Sequence, residues 1–497
     1  MTATADPRVA RAHLGEVARG SALTFAGAVV STVATFALVI VVTRNVEPEA
    51  AGRFFAATAV FVMALAAAGL GSDTGLARFV LRADGSAQVR GLVRTAALPV
   101  LVVTTALALL LGLWVPGMRV LVWALPFAAA ADLSLAALRA HATFRSTVLI
   151  DRIVRPGVQL LLVVLVLAWG RSGAALAVAW AAGYVVSALL AMRALHRHLP
   201  GGLDVIGAVG TDSSRAFWSF TWPRAVARIA QVAIQKLDIV LVAALLGTAE
   251  AAAYTVATRF VVFGQLANQA VSSVVQPRFT LILTEDADDR TTLNRVFGTT
   301  TCWSMLLAWP VYACVAAAPS AYLAWFGDGY ASTENTVVVL VMVAGMLVAV
   351  ASGPVDTLLL MSGRSGRSLA NTLIALAVDV GLCLLLVPRV GIAGAALAWV
   401  ASVVLRTILA GVQLHADLEL RADLRGLALP AALPLVCVAV PLLALDRVVG
   451  LGAVSWLAAS AGALACYAGA VWRWRVRLGV DVALQALTRR RRPVMVP

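Results

Sequence analysis

Five ionisable side chains in two consecutive apolar segments are the residues of this sequence best suited to chemistry. They are Arg224, Arg228, Lys236, Asp238 and Arg259. The two segments, near 217–246 and 250–278, are each longer than the roughly 20 residues that cross a bilayer. An ionisable group at membrane depth is costly, and it typically faces the interior of a helical bundle or a wet cavity. Four cations in such positions therefore predict a site that binds an anion.

The four cations are the candidate substrate-binding residues: Arg259, Arg228, Lys236 and Arg224. A guanidinium suits a diphosphate because its planar fork binds two oxygens at once. Lys236 and Arg259 are equally far from the turn at 247–248, so helical segments place them at a common depth. Arg224 and Arg228 are one helical turn apart and share a face. The alternative interpretation is structural: Asp238 pairs with Arg259, and Arg224 extends to the lipid headgroups.

Several carboxylates within apolar segments are candidates for ion coupling or for structural ion pairs. Asp238, Asp73 and Asp379 are the main ones, with Asp132 and Asp356 beside them. We favour the structural role, because the sequence has no cluster of carboxylates of the kind that a sodium site needs. The five cysteines show no metal-binding spacing. We expect no catalytic residues, no metal and no cofactor.

The composition predicts what must position these residues. The chain has 497 residues, of which 61% are hydrophobic and 13% are charged, whereas soluble proteins are about 25% charged. We predict an all-α polytopic membrane protein with about 14 transmembrane helices. The first apolar segment is too long for a signal-peptide core, and we expect it to be retained. The predicted segments are 21–43, 52–77, 95–115, 119–139, 149–169, 173–193, 217–246, 250–278, 296–318, 334–361, 368–388, 391–412, 427–445 and 450–472.

The distribution of Lys and Arg predicts the orientation. Alternate connections, together with both termini, hold about 28 of these cations, and the opposite side holds about six. The positive-inside rule then places both termini in the cytoplasm, which requires an even number of spans.

Two internal similarities predict a repeat. GAALAVAW at Gly173–Trp180 is similar to GAALAWV at Gly394–Val400, and RNVEPEAAGRFFAA at Arg44–Ala57 is similar to LLGTAEAAAYTVAT at Leu245–Thr258. Two copies of an even, six-helix unit have the same orientation, so we predict parallel repeats with a central site between two lobes. The predicted domains are 1–200 with helices 1–6, 201–425 with helices 7–12, and 426–497 with helices 13–14 and a basic cytoplasmic tail.

These patterns resemble a known family. The segments RNVEPEAAGRF, GLGSDTGLARFV, KLDIVLVAALLGTAEAAAYTVATR, WFGDGYAS and MSGRSGRS, followed by VPRVGIAGAALAWV, are similar to the multidrug/oligosaccharidyl-lipid/polysaccharide exporter superfamily. The resemblance is to its polysaccharide-lipid flippase branch, the Wzx-type proteins. It implies a two-lobed bundle, alternating access, and a substrate of glycan on undecaprenyl diphosphate. In that family an Arg placed like Arg259 on helix 8 is part of a cationic cavity.

The expected function is a non-enzymatic flippase that moves undecaprenyl-diphosphate-linked oligosaccharide from the cytoplasmic to the outer leaflet, for polysaccharide or lipopolysaccharide biosynthesis. A cation-coupled multidrug exporter is disfavoured by 14 spans rather than 12 and by cations rather than acids in the cavity. A membrane glycosyltransferase or polymerase is disfavoured by short outer loops. We expect the inner (plasma) membrane as location. The expected partners are lipid-linked oligosaccharide, membrane lipids, and polymerase and glycosyltransferases of the pathway, but no nucleic acid.

Overall fold

The protein is helical throughout the part of the chain that the structure describes. A computed structural model describes residues 7–82, 86–140, 144–170, 173–198, 211–285, 289–420 and 424–481. Helices and short connecting turns account for these residues, and none of them lies in a β-strand. Long apolar segments form helices because a helix satisfies its backbone hydrogen bonds within the segment, without water. The all-α prediction is confirmed.

The chain divides into two compact units between Ala252 and Ala253. The helices of the first unit are α1 (Pro7–Asn45), α2 (Pro48–Ala68), α3 (Ser72–Val80), α4 (Ser86–Trp114), α5 (Leu125–Ala140), α6 (Phe144–Thr147), α7 (Arg155–Ala168), α8 (Ala174–His198) and α9 (Thr211–Leu245). A π-helical turn, Val148–Val154, joins α6 to α7. The next helix, α10 (Thr248–Thr258), contains the boundary.

The helices of the second unit follow in chain order: α11 (Val261–Glu285), α12 (Arg290–Ala317), α13 (Pro319–Leu323), α14 (Thr333–Ala351), α15 (Val355–Met361), α16 (Ser365–Val390), α17 (Ile392–Leu418), α18 (Leu424–Pro434), α19 (Val440–Val449) and α20 (Ala453–Arg473). Asp289 begins α12 by accepting a hydrogen bond from the Thr292 backbone N–H at 2.9 Å. This is a conventional N-cap that satisfies one orphan donor of the first turn. The predicted division at 200/201 and 425/426 stays a prediction.

Eleven helices within the described residues are long and apolar enough to cross a membrane. Large apolar side chains point away from the protein on these helices, as at Leu98 and Leu113 of α4, which are 67% and 73% exposed. Such faces need an apolar solvent, so the membrane prediction is confirmed. The predicted segments near 149–169, 217–246 and 250–278 are also helical, but they are charged or interrupted. The count of about 14 therefore stays a prediction.

Close helix contacts hold α9 against α2 and α3 within the first unit. A Cβ at Gly52 of α2 would overlap with the backbone carbonyl oxygen of Thr248, so only glycine fits there. On the other side of α2, Phe61 packs edge-to-face against Trp180 of α8 at 5.4 Å between ring centres. The contacts of α2 and α3 with α9 position the helix that carries three of the four predicted substrate-binding cations.

The helices after α17 pack against α12 in the second unit. Tyr467 of α20 donates a hydrogen bond to the Leu306 carbonyl at 2.9 Å, and the Trp456 indole donates to the Cys314 carbonyl at 3.0 Å. Both rings pack in a mostly apolar cluster that includes Leu433, Val438 and Leu442. The last helices are therefore fastened to the core of this unit by aromatic side chains.

Candidate functional site

Arg259 lies at an interruption between two helices. α10 ends at Thr258, α11 begins at Val261, and the two intervening residues form a turn. The Arg259 side chain is half-buried, and its buried Nε has no hydrogen-bond partner among the residues that the structure describes. The positive end of the α11 dipole begins two residues later. A cation with an unused donor beside a helix N-terminus is suited to an oxyanion.

Aromatic side chains surround the interruption within the second unit. The ring of Phe260, fully buried, packs edge-to-face on Tyr312 at 5.8 Å and on Tyr322 at 5.9 Å. Tyr322 donates a hydrogen bond to the Val256 carbonyl at 3.0 Å, and it interacts electrostatically with Arg259. These buried rings make the surroundings of the interruption largely apolar. Low local polarity strengthens the hydrogen bonds that a guanidinium makes.

The other predicted cations lie on α9 in the first unit and have different neighbours. Arg228 is exposed and interacts electrostatically with Asp132 of α5. Arg224 is half-buried and donates a hydrogen bond from Nη1 to the Phe220 carbonyl at 2.8 Å. Lys236 is half-buried. Their roles in substrate binding, and the common depth predicted for Lys236 and Arg259, stay predictions.

The predicted carboxylates are not grouped. Asp238 is buried on α9 and accepts a hydrogen bond from the Ile239 backbone N–H at 2.8 Å. Asp73 is half-buried in the first turn of α3, and Asp379 is fully buried in α16. The described residues contain no group of three His, Cys, Asp or Glu side chains that could hold a metal ion. Ion coupling by these carboxylates and their structural role both stay predictions.

An ionic cluster that was not predicted from the sequence lies at the π-helical turn. Asp151 accepts from Arg155 at 2.9 Å, and Arg155 donates to the Tyr184 hydroxyl at 3.3 Å while stacking over its ring. Pro156 provides a reason for the turn, because proline has no N–H to donate to the carbonyl four residues earlier. The spacing of Asp151 and Arg155, one helical turn apart, was the signal that could have revealed the pair.

A match to one protein family covers about half of the chain. Residues 87–334 match the family described as "Polysaccharide biosynthesis protein". Among curated proteins, none matches this sequence.

Solved structures of membrane transporters share the fold. The structure described as "Lipid II flippase MurJ, inward closed conformation" has a TM-score of 0.71 and 11% identity, over 92% of this chain and 98% of its own. An inward-facing multidrug resistance MATE family transporter of the MOP superfamily has a TM-score of 0.61 and 14% identity, over 80% and 98%. A MOP superfamily transporter from Pyrococcus furiosus, whose title refers to a reverse polarity of the binding pocket, has a TM-score of 0.55 and 15% identity, over 81% and 95%. The predicted resemblance to this exporter superfamily is confirmed at the level of the fold.

Proposed function

We propose that this protein is a lipid-linked oligosaccharide flippase. The match of residues 87–334 to the family described as "Polysaccharide biosynthesis protein" supports this proposal, and so does the fold that the chain shares with transporters of the multidrug/oligosaccharidyl-lipid/polysaccharide exporter superfamily. The substrate is undecaprenyl-diphosphate-linked oligosaccharide, and it moves from the cytoplasmic to the outer leaflet by alternating access. The protein acts in the plasma membrane with both termini in the cytoplasm. Polymerase and glycosyltransferases of the same pathway are its expected partners.

The observation that carries this proposal is the environment of Arg259. Its buried Nε has no hydrogen-bond partner within the described residues, and buried aromatic rings pack beside the turn that carries it. A buried donor without a partner is costly, and a diphosphate provides oxygens for several donors of one guanidinium at once. A bound substrate that carries this anion offsets the cost. Arg228, Lys236 and Arg224 add positive charge on α9.

A cation-coupled multidrug exporter is the second candidate. The similarity to a multidrug resistance MATE family transporter supports it. A cationic drug would be repelled by Arg259 unless a carboxylate compensated for the charge, whereas an anionic headgroup is attracted. The flippase is therefore the better fit to the charge of this site.

A membrane enzyme is the candidate of another class. The acidic residues Asp286 and Asp288, whose spacing is found in metal-dependent glycosyltransferases, lie outside the described residues. The similarity to transporters supports a protein that moves its substrate without making a new bond. An intact, unextended glycan in the outer leaflet would be the product of the reaction that we propose.

Purified full-length protein in liposomes provides the test. A fluorescent undecaprenyl-diphosphate-linked oligosaccharide is incorporated in both leaflets, and a membrane-impermeant quencher reports how much becomes accessible with time. We expect protein-dependent scrambling or net movement of intact lipid-linked glycan, and no movement of a cationic dye. Movement of the dye alone would favour the drug exporter, and an altered glycan would favour the enzyme.

A further inference from the structure

Two guanidinium groups share one aromatic ring in the first unit. The Arg224 guanidinium carbon lies 3.4 Å from the centre of the Phe220 ring, and that of Arg78 lies 4.1 Å from the same centre. Arg78 comes from α3 and Arg224 from α9, so the ring joins cations that are distant in the sequence. The two charges can be no farther apart than the sum of these distances. Each cation is attracted to the ring, but they repel each other.

The contact between α3 and α9 holds this arrangement in place. A Cβ at Gly71 would lie 2.7 Å from the Ala225 backbone nitrogen, and one at Gly75 would lie 2.8 Å from a Phe217 ring carbon. Glycine therefore allows the two backbones to approach closely. Phe79 of α3 also packs edge-to-face on Phe220 at 5.8 Å. The ring and both cations are thus carried by a tightly packed pair of helices.

The donors of the two arginines are largely available. Stacking uses the face of a guanidinium, whereas its five N–H donors lie in the plane and point past the edge of the ring. Arg224 uses Nη1 for the Phe220 carbonyl at 2.8 Å. Within the described residues neither arginine forms an ion pair with a carboxylate, and Arg78 is exposed. An anion at the edge of the ring would accept from both arginines and relieve their repulsion.

We propose that Arg78 and Arg224, arranged around Phe220, together bind the phosphate of a membrane lipid headgroup. The charge bias of the sequence puts residues 78–94 on the cytoplasmic side, where a lipid substrate made in the cytoplasm first meets the protein. This inference rests on the proposed function in one respect only, namely that the bound lipid is one that is about to be transported. The ligand class is a phosphate ester, carried either by a polyprenyl diphosphate or by an anionic phospholipid.

Lipid binding to the purified full-length protein tests the site. Native mass spectrometry measures the binding of undecaprenyl diphosphate and, separately, of phosphatidylglycerol to the wild type and to Arg78→Gln, Arg224→Gln and Phe220→Leu. The matched control is Arg94→Gln, which removes an exposed cation from the same predicted side. We expect binding about tenfold weaker in either glutamine variant, since each loses a charge-assisted contact, a smaller loss in Phe220→Leu, and no change in the control.

Lysine variants separate the geometry from the charge. Arg78→Lys and Arg224→Lys keep the charge but lose the flat, forked donor, so we expect them to bind almost as weakly as the glutamine variants. Thermal unfolding of each variant is measured as well, so that a loss of binding caused by a folding defect is recognised. Equal binding by the wild type and both glutamine variants would overturn the proposal. An equal loss of lipid binding in Arg94→Gln would also overturn it, because any cation on this side would then attract the lipid to the same extent.

The two lipids identify the source of the phosphate. A variant effect on undecaprenyl diphosphate alone makes this a contact for the transported lipid, and an effect on phosphatidylglycerol as well makes it a general site for anionic headgroups. Either result supports a phosphate site. If the wild type failed to move lipid-linked glycan in liposomes while these contrasts held, the proposed function would be wrong and the site would stand.

Discussion

A half-buried guanidinium with an unused donor is the residue-scale feature that most constrains function. In a folded protein, buried polar groups are nearly always hydrogen-bonded, and the exceptions need a reason. Arg406, in the same unit, also has a buried Nε without a hydrogen-bond partner, but its charge is paired, because its Nη2 lies 3.0 Å from an Asp356 oxygen. Arg259 has the same unused Nε and, among the described residues, forms no ion pair with a carboxylate. A ligand that arrives during transport is the explanation that we test first.

Substitution of Arg259 tests this explanation. Hydrogen bonds to charged groups contribute roughly 1.5–3 kcal/mol each, so we expect Arg259→Ala to reduce transport about tenfold or more at normal protein level. Arg259→Lys keeps the charge without the fork and should restore transport only in part. The liposome assay with lipid-linked glycan measures both. Arg406→Lys is the matched control, and we expect it to transport like the wild type.

The opposite result has a definite structural meaning. If Arg259 only neutralises Asp238, then the double variant Arg259→Ala with Asp238→Ala removes both charges and leaves no buried ion uncompensated. Wild-type transport by that double variant, together with loss in Arg259→Ala alone, would assign Arg259 to the scaffold. Transport that remains low in the double variant agrees with substrate binding.

At the scale of elements, the sequence predicted the helices well but not their interruptions. Apolar runs determine where helices form, because a run of this length has few other ways to satisfy its backbone in a membrane. The π-helical turn before Pro156 and the turn at Arg259 depend on packing as well as on local composition. The same limit applies to Phe220, since its contact with Arg78 joins two distant helices. The candidate cations could be recognised in the sequence from their residue type and position, whereas the side chains around them could be identified only from the fold.

Gly264 on α11 shows how packing supports the interruption. A Cβ there would overlap with Oη and Cζ of Tyr312, whose fully buried ring also contacts Phe260, beside Arg259. We expect Gly264→Ala to destabilise the protein, because overpacking costs about 1–3 kcal/mol, more than the up to about 1 kcal/mol that alanine gains over glycine in a helix. Thermal unfolding in detergent should show a lower midpoint and reduced transport.

The neighbouring helix offers a matched control for this substitution. A Cβ at Gly298 of α12 would meet nothing within 4 Å, so Gly298→Ala should unfold at the wild-type temperature or slightly above it. If Gly264→Ala were as stable as Gly298→Ala, then the ring of Tyr312 would have room to move. The packing of Tyr312 on Phe260 would then hold the turn at Arg259 less firmly than the structure indicates.

At the scale of the whole molecule, charge is distributed unevenly over a chain of net charge +14. About 28 of its Lys and Arg residues fall on one predicted side and about six on the other. Arginine that lies beside anionic headgroups is stabilised there, so the bias favours one orientation of the bundle. Eleven helices in the described part of the chain satisfy the criteria of length and apolarity for a span. The sides of the membrane on which the two termini lie determine whether the number of spans is even or odd, so a topology experiment tests the orientation and the predicted number together.

Reporter fusions on either side of α20 test the predicted topology. α20 is a candidate span of 21 residues, and Gly450 lies just before it. With both termini in the cytoplasm, a phosphatase that works only outside the cytoplasm should be active after Gly450 and inactive after Pro497. A fluorescent protein that matures only in the cytoplasm should give the reverse. With the N-terminus in the cytoplasm, phosphatase activity after Pro497 would require an odd number of spans and would exclude a count of 14. Equal behaviour at the two positions would mean that α20 does not cross the membrane.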